Sequence, residues 1–283
     1  MSEAAIKYFR GRKLVIATMH GKEKVLAPIL ETSLGVVTVL PEEFNTDSYG
    51  TFSGEVERET DPLETARIKC IDACKKSGCT LAVSSEGSFG AHPTMLYVPA
   101  DDEIMVLMDM ENDIYARARV VSTKTNFNGN KFEDWYSARE FAERVKFPSH
   151  GLIMTNVVRS DVIKGIDDWK SFEQYFKAHL KRYGTVFLET DMRAMFNPLR
   201  MEVIAEVAAR LVETVLRECP SCNFPGYDVS QVNKGLPCGQ CGLPTESTLS
   251  YYYECKKCSY SSIESYPNAI QIEDPRYCNF CNP

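Results

Sequence analysis

No apolar run in this chain approaches the roughly 20 residues that a helix needs to cross a bilayer. The segment Met1 to Arg12 also lacks the apolar core of a secretory signal. The first absence argues against a membrane protein and the second against export to an oxidising compartment, so a soluble, cytoplasmic chain is expected. Histidine is scarce: there are four in 283 residues, and none follows His179. A metal site in the C-terminal part must therefore use other ligands. The G-x-S-x-G elbow that would make a nucleophile of Ser88 beside His92 is missing too, and no complete catalytic motif of another class replaces it.

What the chain does have is cysteine. Eight of its eleven cysteines form four CxxC pairs near the C-terminus: Cys219/Cys222, Cys238/Cys241, Cys255/Cys258 and Cys278/Cys281. Two thiolates separated by two residues can address one ion from a single tight turn, so four such knuckles imply two ions in all-thiolate tetrahedral shells. That donor set suits zinc. Iron–sulfur clusters and disulfides are the alternatives; the missing export signal weighs against disulfides, and the regular gaps of fifteen, thirteen and nineteen residues favour zinc knuckles on hairpins. Sequential pairing, first knuckle with second and third with fourth, is expected, with nested pairing as the alternative.

The tail carries four basic against six acidic side chains, a net charge of −2, and each four-thiolate zinc site adds another −2. Nucleic-acid binding needs a basic face to displace counterions, so it is not expected here. The 44% hydrophobic composition is enough for a full core plus a small metal-dependent appendage. The reading is an α/β domain over residues 1–218, a mixed sheet flanked by helices, followed by a zinc-ribbon-like module over 219–283 that binds two metal ions. Removal of zinc is expected to unfold the tail only.

Within the first part, Lys13–Thr18 reads as a buried strand, Val25–Leu30 as a helical segment that tolerates Pro28 only in its first turn or at a kink, and Val36–Leu40 as a second strand, together a βαβ unit. Residues 41–60 read as an exposed loop. Asp61-Pro62-Leu63-Glu64 opens a helix with a cap and a first-turn proline, and Cys70 and Cys74 on its apolar face read as core thiols. A strand follows from Thr80 and ends at Ser85-Glu86-Gly87. Ile104–Met108 and Tyr115–Ser122 read as antiparallel strands, the latter with Arg117 and Arg119 on one face.

Charged residues at strand ends are the candidate chemistry. The turn after the first strand offers Lys22 and Lys24 to a phosphate, although an ordinary loop with solvated lysines is the simpler reading of the turn alone. Glu189 and Asp191, after the strand Val186–Leu188, could hold Mg²⁺ while Arg193 and Arg200 bind phosphate oxygens; alternatively these charges pair with one another and fix the strand to the helix that Asn197-Pro198 begins.

Two resemblances follow from these residues. ETDMRAMFNPLRM, CPSC, GLPCGQCGLPT, YECKKC and DPRYCNFCNP are similar to a bacterial family of uncharacterised proteins. Ala17-Thr18-Met19-His20-Gly21-Lys22-Glu23-Lys24 resembles the small-Thr-x-Asn-x-x-Lys turn of the inosine triphosphate pyrophosphatase-like superfamily, with His20 in place of Asn. Glu64 to Lys69 and Ser85-Glu86-Gly87 resemble its next two motifs, the latter with one acid where a pair is common. That resemblance implies Thr18, His20, Lys22 and Lys24 as substrate contacts and Glu86 as a catalytic acid. The expected function is metal-assisted hydrolysis of a phosphoanhydride in a nucleotide or similar phosphorylated small molecule, with Glu86, Glu189 and Asp191 catalytic and Arg193 and Arg200 binding substrate. The alternative is a non-catalytic ligand-binding or protein-interaction protein whose zinc tail meets a partner.

Overall fold

The computed structural model describes residues 3–49 and 61–283. Most of the loop expected at 41–60 lies outside them; its first part holds a short 3-10 turn, Thr46–Tyr49, with Phe44 buried.

A short helix α1 (Glu3–Tyr8) leads to strand β1 (Lys13–Ile16), helix α2 (Glu23–Leu34) and strand β2 (Val37–Val39). β1 and β2 are parallel, so the βαβ unit is present. α2 starts at Glu23, earlier than its apolar spacing suggests, which leaves Pro28 inside the helix rather than in its first turn. Helix α3 (Pro62–Ser77) returns the chain past β1. Its Asp61 cap accepts hydrogen bonds from the Leu63 and Glu64 N–H groups, as the capping pattern predicts. β3 (Leu81–Ala91) then pairs parallel with β1, and β4 (Pro99–Asp109) and β5 (Ile114–Ser122) follow antiparallel, giving the mixed order β2-β1-β3-β4-β5.

A second, four-stranded antiparallel sheet is built from β6 (Gly129–Phe132), β7 (Leu152–Thr155), β8 (Val162–Ile166) and β9 (Val186–Thr190), in the order β6-β9-β7-β8, with helices α4 (Trp135–Arg144) and α5 (Trp169–Tyr183). It has its own core around Phe141, Phe172, Phe176 and Leu188. The apolar pattern of a short strand reports burial but not which sheet the strand joins, so the sequence reading of a single mixed sheet had no place for this one.

Helix α6 (Pro198–Leu216) returns to the first sheet. Side chains alternate across that sheet. Leu81, Val83, Met105 and Leu107 pack beneath α2 and α6, whereas Ala82 and Val106 pack with Ala66, Cys70 and Ala73 of α3. Cys70 and Cys74 are buried there, and burial pushes their thiols up to about 12 and about 11. Both are core thiols, as expected.

The tail forms a three-stranded antiparallel sheet of β10 (Asp228–Lys234), β11 (Thr248–Glu254) and β12 (Ser261–Ser265). Cys219, Phe224, Tyr227 and Cys255 belong to the same buried cluster as Tyr8 and α6, and the Tyr8 and Phe224 rings meet edge to face at 5.5 Å. No helix among the described residues is long and apolar enough to cross a membrane.

Candidate functional site

The chain reverses direction across the first sheet at β1. α2 connects β1 to β2 on one side and one face; α3 brings the chain back on the other face to β3 on the other side. The carboxyl end of β1 and the middle of β3 beside it therefore border the crevice where open α/β sheets place ligands. Beyond β1 the chain turns through Gly21, whose φ of 76° favours glycine, into the start of α2. Lys22 there is buried, and its Nζ donates to Ser85 Oγ (2.9 Å) and to the Ser85 carbonyl (3.2 Å) on β3.

β4 runs antiparallel to β3, which sets Glu103 opposite Gly87 and Asp101 opposite Phe89, both acids on the face that bears Met105 and Leu107. Arg200, fully buried in the first turns of α6, donates from Nε to Glu103 (2.6 Å) and from Nη1 to the Met192 carbonyl (2.6 Å), and lies over the Phe89 ring. Gly87 permits this approach: a Cβ there would stand 2.6 Å from the Arg200 guanidinium and 2.9 Å from the Glu103 carboxyl carbon. Arg200 is in place because Asn197 caps α6, accepting from the Arg200 N–H (3.0 Å) and donating to Asn126 (2.9 Å). On the sheet's other face, Lys69 of α3 pairs with Glu86 at 2.5 Å, both buried.

These groups share one electrostatic neighbourhood. Burial, with Arg200 nearby, brings Lys22 down to about 8. Burial, then the charge of Glu103, pushes Asp101 up to about 8. Asp101 is fully buried, and neither of its oxygens has a hydrogen-bond partner among the described residues; Glu103 Oε2 has none either. Even protonated, a buried carboxyl group without a hydrogen-bond partner is costly, so its retention calls for a chemical reason.

The other nominated residues are placed as follows. Thr18 is buried and accepts from the His20 N–H (3.4 Å), while Lys24 is exposed. Glu189 and Asp191 follow β9 of the second sheet and do not join Glu86 in a carboxylate cluster. Glu189 takes a two-pronged pair with Arg159 (2.6 and 3.1 Å). Asp191 is fully buried between Arg193 (2.6 Å) and the Gly165 N–H (3.1 Å), and Arg193 stacks on Phe196. The pairing of carboxylate with arginine, rather than an open Mg²⁺ site, is what this stretch forms. His150 accepts from the Leu199 N–H (3.3 Å), a positioning contact at the start of α6. Arg119 pairs with Asp102 on an exposed face.

Sequence reasoning missed Asp101 and Glu103, and it met Lys69 only through a resemblance. The available signal was the two-residue spacing of Asp101, Glu103, Met105 and Leu107, which puts two acids in line with core residues.

Among the described residues, only cysteines gather three or more ligating groups, in two tetrads: Cys219, Cys222, Cys255 and Cys258, and Cys238, Cys241, Cys278 and Cys281. Each can hold one metal ion. The pairing is neither sequential nor nested but interleaved, first knuckle with third and second with fourth. Facing sulfurs lie 3.7 Å apart for Cys219 and Cys258, 3.7 Å for Cys222 and Cys255, 3.9 Å for Cys238 and Cys281, and 3.7 Å for Cys241 and Cys278. A tetrahedron with metal–sulfur bonds of about 2.3 Å has edges of about 3.8 Å, so the donors fit a four-thiolate ion. They are far too long for disulfides, whose sulfurs lie about 2.05 Å apart. Three of the four knuckles share a turn in which Asn223, Gly242 and Ser259, each four residues after the first cysteine, take positive φ and donate their N–H back to that cysteine's carbonyl.

No curated protein matches the chain. Among solved structures it is similar to protein VC0702 from Vibrio cholerae, with 10% identity, coverage of 73% of this chain and 96% of that one, and a TM-score of 0.29. The profile of a family described as a domain of unknown function (DUF6671) matches residues 69–283, from the middle of α3 through the last CxxC knuckle, and the chain belongs to that family.

Proposed function

We propose that this protein is a metal-assisted hydrolase that cleaves a phosphoanhydride in a nucleotide or similar phosphorylated small molecule, with two structural zinc ions holding its tail. The observation that supports this reading is the gathering of three buried cations, Lys22, Lys69 and Arg200, where β1 ends beside the middle of β3. Cations at a switch point suit a phosphate, which the start of α2 also favours through its N–H groups. Lys22 supplies the charge nearest that turn. Arg200 and Lys69 hold Glu103 and Glu86 in place, and a divalent cation at the site would activate water and offset charge on the leaving oxygen. A groove of about 560 Å³, lined by Tyr97, Phe127, Phe187 and Glu189 among others, opens nearby between the β3–β4 hairpin and the second sheet. Phe127 lies 5.8 Å from Phe89, the ring beneath Arg200, so the groove has room for the remainder of such a molecule. The zinc ions take no part in the chemistry, because four protein thiolates leave no open position.

One observation favours a non-catalytic ligand-binding protein instead. Glu86, Glu189 and Asp191 each already face a cation. The deciding experiment is phosphate and pyrophosphate release from a panel of standard and modified nucleotides with Mg²⁺ and zinc-loaded protein. Selective turnover of one compound is expected, with at least a hundredfold loss in Glu86→Gln. Tight binding without release would establish the non-catalytic reading.

A further inference from the structure

We propose that Asp101 and Glu103 of β4 form the divalent-cation site of this crevice, taking a hard ion of the Mg²⁺ or Mn²⁺ class. The two carboxylates stand two residues apart on one face of the strand, beneath the start of α6. Both side chains are fully buried. Glu103 spends one oxygen on Arg200 and leaves Oε2 without a partner, and both oxygens of Asp101 are without one among the described residues. Three buried carboxylate oxygens in one place, each lacking a donor, are what a hard cation satisfies: Mg²⁺ is held by one or two carboxylates, with water and substrate phosphate oxygens completing the shell.

Among the described residues no hydrogen bond ties the Asp101 carboxyl into the fold. Glu86, Glu189 and Asp191 are all paired with basic side chains, and Asp109, at the far end of β4, is bonded by Arg12 and Asn112. Asp101 is the acid of this strand that is buried without such a bond. Lys22 and Arg200 stand close enough to act on its charge, so a phosphate brought in by these cations would meet the ion beside them. The catalytic meaning of the site rests on the hydrolase reading above; cation binding itself does not.

The test uses full-length, zinc-loaded protein titrated with Mn²⁺ alone and followed by the loss of the free-ion electron paramagnetic resonance signal. Four-thiolate sites filled with zinc do not compete for this hard ion. Wild type and Glu189→Gln are expected to bind one Mn²⁺ with similar affinity, and Asp101→Asn to bind it at least tenfold more weakly. Burial keeps Asp101 largely protonated at pH 7 when no ion is bound, so without added Mn²⁺ Asp101→Asn is expected to melt close to wild type, and Mn²⁺ is expected to raise the melting temperature of wild type only. Absence of Mn²⁺ binding in wild type, or undiminished binding in Asp101→Asn, would overturn the proposal. Mn²⁺ binding without turnover of any nucleotide would leave the cation site standing and remove the hydrolase reading.

Discussion

Lys22 shows most clearly how one residue joins the fold to its chemistry. It starts α2, reaches across to β3 through Ser85, and is buried enough to lower its ammonium from 10.5 to about 8. Below about pH 8 the lysine is charged in both the folded and the unfolded chain, and the cost of burying that charge is present in full. Between about pH 8 and 10.5 the unfolded chain keeps a proton that the folded one releases, so this group adds stability as pH rises. The difference across the window is on the order of 3 kcal/mol. Denaturant titrations should therefore find Lys22→Met closer to wild type at pH 10.5 than at pH 7, with the shift favouring wild type as pH rises. Phosphate binding should weaken in the same window, because the charge that attracts the anion is lost. The sequence nominated Lys22 from its strand-to-helix turn beside the simpler reading of a solvated lysine, and it is the solvated reading that the burial of Lys22 removes. Asp101 was not nominated: an acid in a strand reads as solvated until its partner strands show which face is covered.

At the scale of elements, the interleaved cysteine pairing follows from strand count. Each linker between knuckles contains one strand: β10 in the first, β11 in the second and β12 in the third. In an antiparallel sheet each strand carries the chain to the opposite end, so successive knuckles alternate ends. Asp228 stands opposite Glu254, which brings Cys222 near Cys255; Ser250 opposite Ser265 sends the last knuckle back towards Cys238. The sequence disclosed the ligands and the turn residues, but only β11 has an apolar pattern. DVSQVNK and SSIES are polar and mostly exposed, so two strands that decide the pairing gave little signal. Metal counting on serine variants checks the arrangement: Cys222→Ser and Cys255→Ser should empty one site, Cys241→Ser and Cys281→Ser the other, each variant retaining one ion. The first tetrad shares the core of the first sheet through Cys219 and Cys255, so Cys255→Ser should lower the melting temperature of the whole protein more than Cys281→Ser. This departs from the expectation that metal loss unfolds the tail alone.

The whole molecule combines two sheets, each with its own core, and a tail with two cysteine tetrads that can each hold a metal ion, packed against the first. The first sheet was largely readable, because KLVIAT, the Asp61 cap and the antiparallel pair after Ile104 are strong local signals. The assignment of β9 to a second sheet was not, because it depends on pairing with β6 and β7 across long sequence separations. That assignment moves Glu189 and Asp191 out of the proposed chemistry and leaves Lys22, Asp101, Glu103 and Arg200 on one face of the first sheet and Glu86 with Lys69 on the other. The most direct test of the crevice as the ligand site is ligand-dependent melting of zinc-loaded protein with inorganic pyrophosphate and Mg²⁺, comparing wild type, Lys22→Met and the exposed control Lys181→Met at the end of α5. The account predicts a rise in melting temperature for wild type and Lys181→Met and none for Lys22→Met. An equal rise in all three proteins would contradict it.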